Sequence, residues 1–346
     1  MIGPRDSGFS ERGLIARIRE LAQGGAVSAG LVQGIGDDCA VFRAAGPDLW
    51  LVTTDTLVEA VHFDLAWHPP RQLGRKCAAV NISDVAAMGG APCFALLNLA
   101  VPPTCTAVWL DDFLAGFTEV LQEHRVILIG GDTVESGRPA VFSVTVIGAA
   151  VKGRVLYRSG ASPGDSIWVS GPLGEAAAGL EFCRRGIRTA KWQRLIEAHL
   201  DPSPLVQLGQ ILAGSGLVHA MIDLSDGLAT DLAHLGAASG AGAEIDAARL
   251  PLSELLVEAA AFLEMPPLDW ALKGGEDYQL LFTAPAAHDE ALPRLVSERL
   301  ARPIFRLGRI TDDRGVFLCR QQGTDPAERL DISFQGYEHF AGGGKG

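Results

Sequence analysis

The apolar residues of this chain switch between helical and strand spacing, and that alternation outlines most of its elements. Over 10–23, Leu14, Ile15, Ile18, Leu21 and Ala22 recur at helical spacing behind Ser10, a residue suited to an N-cap, so an amphipathic helix is expected. Leu49-Trp50-Leu51-Val52 predicts a strand leading into Thr53-Thr54-Asp55. Residues 70–88 predict a helix with Leu73, Cys77 and Val80 on one side. Val126-Ile127-Leu128-Ile129 reads as a short apolar strand ending at Gly130-Gly131-Asp132. Over 141–151, Phe142, Val144 and Val146 alternate with Ser143 and Thr145, the period of a half-buried strand.

The turn-rich Ser159-Gly160-Ala161-Ser162-Pro163-Gly164-Asp165 interrupts this pattern, and a domain boundary is expected a few residues before it, dividing 1–152 from 153–346. Beyond it come the strand Ile167-Trp168-Val169, a strand at 220–224, a helix from about 228, a strand at Tyr278–Phe282 and two short strands near 304–310 and 315–319. Strands and helices mix without a repeating βαβ rhythm, so the expected class is α+β rather than a doubly wound sheet. The glycine-rich tail 342–346 is expected to be disordered.

Composition narrows the functional classes. The chain has 346 residues, 48% hydrophobic and 20% charged, enough for two cores. No apolar run approaches the roughly 20 residues of a membrane helix. The opening Met1-Ile2-Gly3-Pro4-Arg5-Asp6 has no apolar stretch after a basic cluster, and the six cysteines, at 39, 77, 93, 105, 183 and 319, form no Cys-x-x-Cys pair. Both features lead to the expectation of a reducing cytosol without a zinc or disulfide framework. The net charge is −12, from 29 basic against 41 acidic residues, with no basic run to suit nucleic acid.

The acidic residues themselves are the informative feature. Carboxylates recur beside Gly, Ser or Thr, where apolar strands are expected to end: Gly36-Asp37-Asp38, Thr53-Thr54-Asp55, Gly130-Gly131-Asp132 and Asp223-Leu224-Ser225-Asp226-Gly227. Asp84 is a further case inside an apolar helical segment, on a face with Asn81 and Met88. Aspartates offer the hard oxygens Mg²⁺ prefers, and glycine lets backbone approach a ligand. Taken singly, each of these motifs also reads as a turn or a helix cap. Taken together they read as a metal site, provided the fold gathers them. Two such charges about 4 Å apart repel by roughly 4 kcal/mol at an effective dielectric near 20, so cations would have to hold them.

The chain lacks a Gly-x-x-x-x-Gly-Lys-Ser/Thr loop, the His-Arg-Asp and Asp-Phe-Gly pair of protein kinases, a Gly-x-Gly-x-x-Gly fingerprint, a Gly-x-Ser-x-Gly elbow and a His-Glu-x-x-His helix. The eight histidines show no metal-ligand spacing, so His62 is expected to be a hydrogen-bond donor rather than a ligand.

Read in order, the motifs resemble the thiamine-monophosphate kinase family across nearly the whole chain. The resemblance is carried by 34–41 (GIGDDCAV), 54–63 (TDTLVEAVHF), 80–89 (VNISDVAAMG), 129–133 (IGGDT), 158–165 (RSGASPGD), 222–228 (IDLSDGL), 274–278 (GGEDY) and 336–340 (GYEHF). It implies two α+β domains, the N-terminal ones pairing into a homodimer through a shared β-barrel, and an enzyme that uses ATP to turn thiamine phosphate into thiamine diphosphate. It further implies a shell for more than one Mg²⁺ made of Asp38, Thr53, Thr54, Asp55, Asp84, Asp132, Asp223 and Asp226, with Asp38 preferred to Asp37 and with Asp38, Asp84, Asp132 and Asp226 central to catalysis. Gly131, Asp132, Arg158 and Ser225 would meet ATP, and His62, Glu276 and Tyr337 would meet thiamine phosphate. Lys76 has two readings, an added phosphate contact or, more commonly for a helical lysine, a solvent-facing residue. Tyr337 likewise reads either as a stacking surface or as C-terminal packing. Neither a nucleic acid nor a membrane is an expected partner. Related superfamily members fit less well. A selenophosphate synthetase would carry a reactive Cys near the N-terminus, whereas the first cysteine here is Cys39, inside the metal motif.

Overall fold

The computed structural model describes residues 10–23, 30–44, 46, 48–320 and 328–339. The tail at 342–346 lies outside the described residues. In chain order the first half contains α1 (Glu11–Gln23), β1 (Leu31–Gln33), β2 (Ala40–Arg43), β3 (Asp48–Val58), α2 (Pro70–Ala87), β4 (Ala91–Val101), α3 (Ala107–Glu123), β5 (Ile127–Glu135) and β6 (Val141–Val151). These strands form one sheet in the order β1-β2-β3-β6-β4-β5, antiparallel except for the β4–β5 pair.

β6 explains how this sheet buries one side. Every second residue, including Phe142, Val144 and Val146, is fully buried against α2 and α3, while Ser143 and Thr145 face the other way. The two helices cross in very close contact. A Cβ on Gly74 would meet the Phe113 carbonyl oxygen at 2.0 Å, and one on Gly116 would meet that of Arg71 at 1.9 Å. Only glycine permits backbones this near.

The second half contains β7 (Asp165–Val169), α4 (Glu175–Arg184), α5 (Gln193–Leu200), α6 (Val206–Ser215), β8 (Ala220–Asp223), α7 (Leu228–Ser239), β9 (Gly242–Asp246), α8 (Glu254–Leu263), α9 (Pro267–Lys273), β10 (Leu280–Pro285), α10 (Ala291–Leu300), β11 (Phe305–Thr311), β12 (Val316–Arg320) and β13 (Glu328–Asp331). Its sheet runs β13-β12-β9-β11-β7-β10-β8, antiparallel except for β12 with β9. Ile167 and Val169 enter one core with α7, while Trp168 enters a second with α6 and α10, so both faces of β7 are covered. That is why its sequence is a continuous apolar run rather than an alternation.

Two α+β units, each built on its own mixed sheet, are thus present as expected. Two details differ from the sequence reading. The strand expected to end at Gly130-Gly131-Asp132 continues through them to Glu135, and β3 likewise runs on through Thr53, Thr54 and Asp55 to Val58. Main-chain pairing with β4 and β6 carries both strands past the residues that looked like punctuation. Tyr278 falls outside β10, with φ 46°, in a bent segment that begins at Gly274.

Candidate active site

Three remote stretches of chain meet beside α2. Asp38 comes from the loop between β1 and β2, Asp84 from α2 and Asp223 from the end of β8, and one carboxylate oxygen of each lies within 4.8 Å of the others. Neighbouring groups orient them. Thr53 Oγ1 donates to Asp84 Oδ2 at 2.5 Å, and Ser83 Oγ donates to Asp223 Oδ2 at 2.5 Å across 140 residues of chain. Asn81 Oδ1 accepts from the Asp55 N–H at 2.9 Å, and Met88 Sδ accepts from the Cys39 N–H at 3.1 Å. The helical face of Asn81, Asp84 and Met88 is therefore turned toward β3 and the Asp37–Cys39 loop.

The electrostatics are those of crowded acids. Burial pushes Asp84 well above the usual carboxylate range, with Asp55, Asp223 and Asp38 adding to it. Burial and then Asp38 push Asp223 up to about 7. Burial also raises Asp38, against the opposing pull of Arg158, and raises Asp55 with Asp38 adding to it. Asp37 and Asp226 are each pushed up to about 6, by burial first and then by Asp38 and Glu11 respectively. Arg158 offsets part of this charge. Its Nη2 and Nε donate to Asp38 Oδ1 at 2.6 and 3.1 Å, and its main-chain N–H donates to Asp37 Oδ1 at 3.2 Å. Asp38 Oδ2 is buried without a hydrogen-bond partner. An orphaned buried oxygen inside a set of hard carboxylate donors fits a hard divalent cation.

Ser225 and Asp226 lie on the loop that opens α7. Asp231 Oδ2, one turn into that helix, accepts the N–H groups of Asp226 and Gly227 at 3.1 and 3.0 Å and holds the loop in place. The same loop is bonded to both downstream motifs, because Ser225 O accepts from the Glu276 N–H at 2.8 Å and Asp226 O from the Tyr337 N–H at 2.9 Å. Glu276, His62, His339 and Tyr337 gather there. The His62 and His339 rings are 5.0 Å apart, and Tyr337 Oη is 3.3 Å from His339 Nδ1. Tyr337 is 45% exposed, with its ring edge-on to His339 at 4.9 Å. His62 Nδ1 accepts from the Val58 N–H at 3.0 Å, so on that nitrogen the expected donor is an acceptor. Burial lowers the His62 pKa, helped by His339 and opposed by Glu276.

Lys76 corrects the reading that made it solvent-facing. It is 0% exposed, and its Nζ lies 2.8 Å from Glu276 Oε1. Helical spacing alone did not reveal this, because the side chain is buried by the second domain rather than by its own sheet.

Not every expected residue joins the carboxylate cluster. Thr54 Oγ1 donates to Val144 O and accepts from Thr145 Oγ1, both at 3.0 Å, on the opposite face of β3 from Thr53. Asp132 is exposed on β5, in register with Asn98 of β4, and three strand spacings separate β5 from β3. Asp132 Oδ1 accepts from the Thr133 N–H at 2.9 Å. Gly131 precedes it on that same outer strand. Sequence reasoning passed over Ser83, Asp231 and His199. Ser83 was signalled by its place in the Asp84 motif and Asp231 by its position in a first helical turn, whereas His199 had no local signal.

The fold and this acidic site define the class of AIR synthase related proteins, whose N-terminal domain model matches residues 36–150 and whose C-terminal domain model matches residues 162–319. Within that class the chain is 39% identical over 312 residues to the thiamine-monophosphate kinase of Escherichia coli, covering 89% of this chain and 92% of that protein. It is 35% identical over 316 residues to the Bacillus subtilis thiamine-monophosphate kinase, covering 89% and 93%. The chain belongs to the thiamine-monophosphate kinase family. A solved structure described as AaThiL complexed with AMPPCP and TMP superposes with a TM-score of 0.81 at 31% identity, over 95% of this chain and 99% of that one. The Stenotrophomonas maltophilia thiamine-monophosphate kinase gives a TM-score of 0.73 at 38% identity, over 90% and 96%. The hydrogenase maturation protein HypE, at 20% identity and a TM-score of 0.68, shares the fold.

Proposed function

We propose that this chain transfers the terminal phosphoryl group of ATP to the phosphate of thiamine phosphate, forming ADP and thiamine diphosphate. The observation that carries this reading is the convergence of Asp38, Asp84 and Asp223, with Asp38 Oδ2 buried and unpartnered. The likeness to kinases named for this substrate supports it.

Asp38, Asp55, Asp84, Asp223 and Asp226, with Thr53, would hold Mg²⁺; Thr54 and Asp132, also implied by the resemblance, have their side chains off this cluster in the single chain. Bound there, Mg²⁺ ions screen the repulsion between two anionic substrates and stabilise charge in the transition state. The protein's own part is to orient. The hydroxyls of Thr53 and Ser83 fix two carboxylates in rotation, so no reorganisation is needed when substrate arrives. Arg158 presents a planar fork suited to phosphate oxygens, with Gly131 and Ser225 as the other expected ATP contacts. No general base is assigned. The acceptor is a phosphate monoester with a second pKa near 6, already mostly dianionic at neutral pH. His62, Glu276 and Tyr337 would receive the thiamine end.

The same proposal takes residues 1–152 and 153–346 as the two domains, supported by one sheet ending at Val151 and the next beginning at Asp165. It also takes two copies of the chain to pair through the N-terminal sheet. All nine residues of β5 are exposed, among them Ile127, Leu128, Ile129 and Val134, an apolar edge that isolated proteins usually cover. A cytosolic location fits the free cysteines. Among the described residues no helix is long and apolar enough to cross a membrane.

The test is direct. Purified protein incubated with ATP, Mg²⁺ and thiamine phosphate is expected to form thiamine diphosphate and ADP in equal amounts, and chelation of the metal should stop both. ATP binding without thiamine diphosphate would reduce the chain to a nucleotide-binding scaffold.

A further inference from the structure

Glu276 is gripped by two buried groups that the transfer itself does not require. Lys76 Nζ lies 2.8 Å from Oε1 and His199 Nδ1 lies 2.9 Å from Oε2, while Lys76 also donates to His199 O at 3.1 Å. Lys76 and His199 are 0% and 1% exposed, whereas the Glu276 side chain remains 22% exposed. The grip joins the two domains, since Lys76 lies on α2 and His199 on α5. Lys76 also precedes Asp84 by two helical turns, roughly 12 Å along the axis. One rigid helix therefore sets the distance between Glu276 and the carboxylate cluster.

The backbone adds to this. Glu276 sits at φ 69° and Tyr278 at φ 46°, and their N–H groups donate to Ser225 O and Leu224 O at 2.8 Å. Each Glu276 oxygen faces one of these two nitrogens, and a carboxylate has about four lone-pair positions, so capacity remains for a ligand. Burial alone would raise the Glu276 pKa, but Lys76 and His199 outweigh it and keep the group ionised.

We infer that Lys76 and His199 are positioning residues for thiamine phosphate: they hold Glu276 in one orientation to accept a hydrogen bond from the aminopyrimidine amino group. Lys76 already balances the Glu276 charge, so this carboxylate acts as a directed acceptor rather than as counter-ion to the thiazolium. The inference rests on the proposed function and names the contact by which that site selects its substrate.

The experiment compares Lys76→Met, Lys76→Arg, His199→Gln, Glu276→Gln and the double variant Lys76→Met/Glu276→Gln, with thiamine phosphate and ATP each varied against saturating partner. Lys76→Met and Glu276→Gln are each expected to raise the thiamine-phosphate KM about tenfold or more, the scale of losing one hydrogen bond to a charged group. Their ATP KM should stay within about twofold, which a merely structural role would not single out. Lys76→Arg should recover part of the loss and His199→Gln should fall between. Because Lys76 acts through Glu276, the double variant should match Glu276→Gln alone. That comparison decides the matter even if Lys76→Met fails to fold, since the double variant leaves no unpaired buried charge. A double variant much worse than Glu276→Gln, or a folded Lys76→Met with unchanged KM, overturns the inference. Wild-type protein that binds ATP and yields no thiamine diphosphate overturns the functional reading instead, and this inference with it.

Discussion

Asp84 shows how one residue links stability to function. It places a carboxylate among Asp38, Asp55 and Asp223, where burial and like charge both oppose ionisation. Asp84→Asn keeps an acceptor for Thr53 Oγ1 while removing that charge. It should raise the melting temperature of the metal-free protein, with a gain of at most about 4 kcal/mol, the repulsion of two charges roughly 4 Å apart at an effective dielectric near 20. The same change should lower kcat by about 100-fold or more, the scale of losing a preorganised electrostatic group. Thermal unfolding and steady-state kinetics on one preparation check both, and normal turnover would remove Asp84 from the site. His68 gives a pH prediction. It is 1% exposed, its Nε2 pairs with Leu200 O at 3.1 Å, and burial, Lys76 and His199 hold its pKa well below 6.5. Above about pH 6.5 the imidazole is neutral in both states and contributes no slope. Below it the unfolded chain takes up a proton that the folded chain refuses, so stability falls with pH by at most about 1.4 kcal/mol per unit. His68→Gln removes this contribution, and urea unfolding of both proteins between pH 7.5 and 5.5 should show the wild type losing ground to the variant on the acid side, since the raised site carboxyls act on both curves alike. Parallel curves would refute it. The aspartates were legible at this scale because glycines and hydroxyls flank them, whereas Lys76 looked like any helical lysine.

At the scale of elements, α2 organises the site. It carries Lys76, Asn81, Ser83 and Asp84, packs on α3 and β6 in its own domain, and meets α6 and β8 of the next. Its seat on α3 depends on the paired glycines. Gly74→Ala forces a Cβ against the Phe113 carbonyl and should cost about 1–3 kcal/mol through overpacking. Because the helix must shift to relieve the clash, kcat should fall as well, by as much as about 100-fold for a displacement near 1 Å. Gly137→Ala, where a Cβ would meet nothing within 4 Å, should leave both unchanged. Denaturant unfolding and kcat for the two variants separate a seated helix from general glycine sensitivity. Most elements were legible from periodicity, including the alternation of β6 and the unbroken apolar run of β7. The continuation of β5 was not. Gly131 sits there at φ 153° with its would-be Cβ 1.8 Å from Leu97 O, so a residue that reads as a strand breaker is what lets β5 lie against β4.

For the whole molecule, assembly follows from what the fold leaves uncovered. The exposed apolar residues of β5 lie beside Gly131 and Asp132, so pairing of two copies would bring a second chain next to expected nucleotide contacts. Ile129→Glu puts a charge into that edge, a device natural sheets use against edge pairing, and should convert a dimer to monomer in sedimentation. A wild-type protein that sediments as a monomer at micromolar concentration would dispose of the dimer.

The sequence by itself determined the two-domain α+β plan, the acidic motifs and the family likeness, because period, turn chemistry and local spacing are written along the chain. Tertiary structure alone decided that Asp38, Asp84 and Asp223 share one small volume, that Thr54 and Asp132 face away from it, and that Lys76 is buried against Glu276. Those contacts join segments distant along the chain, 31 residues apart for Thr53 and Asp84 and 140 for Ser83 and Asp223, and they depend on how two sheets and α2 pack. Local pattern carries no record of that distance.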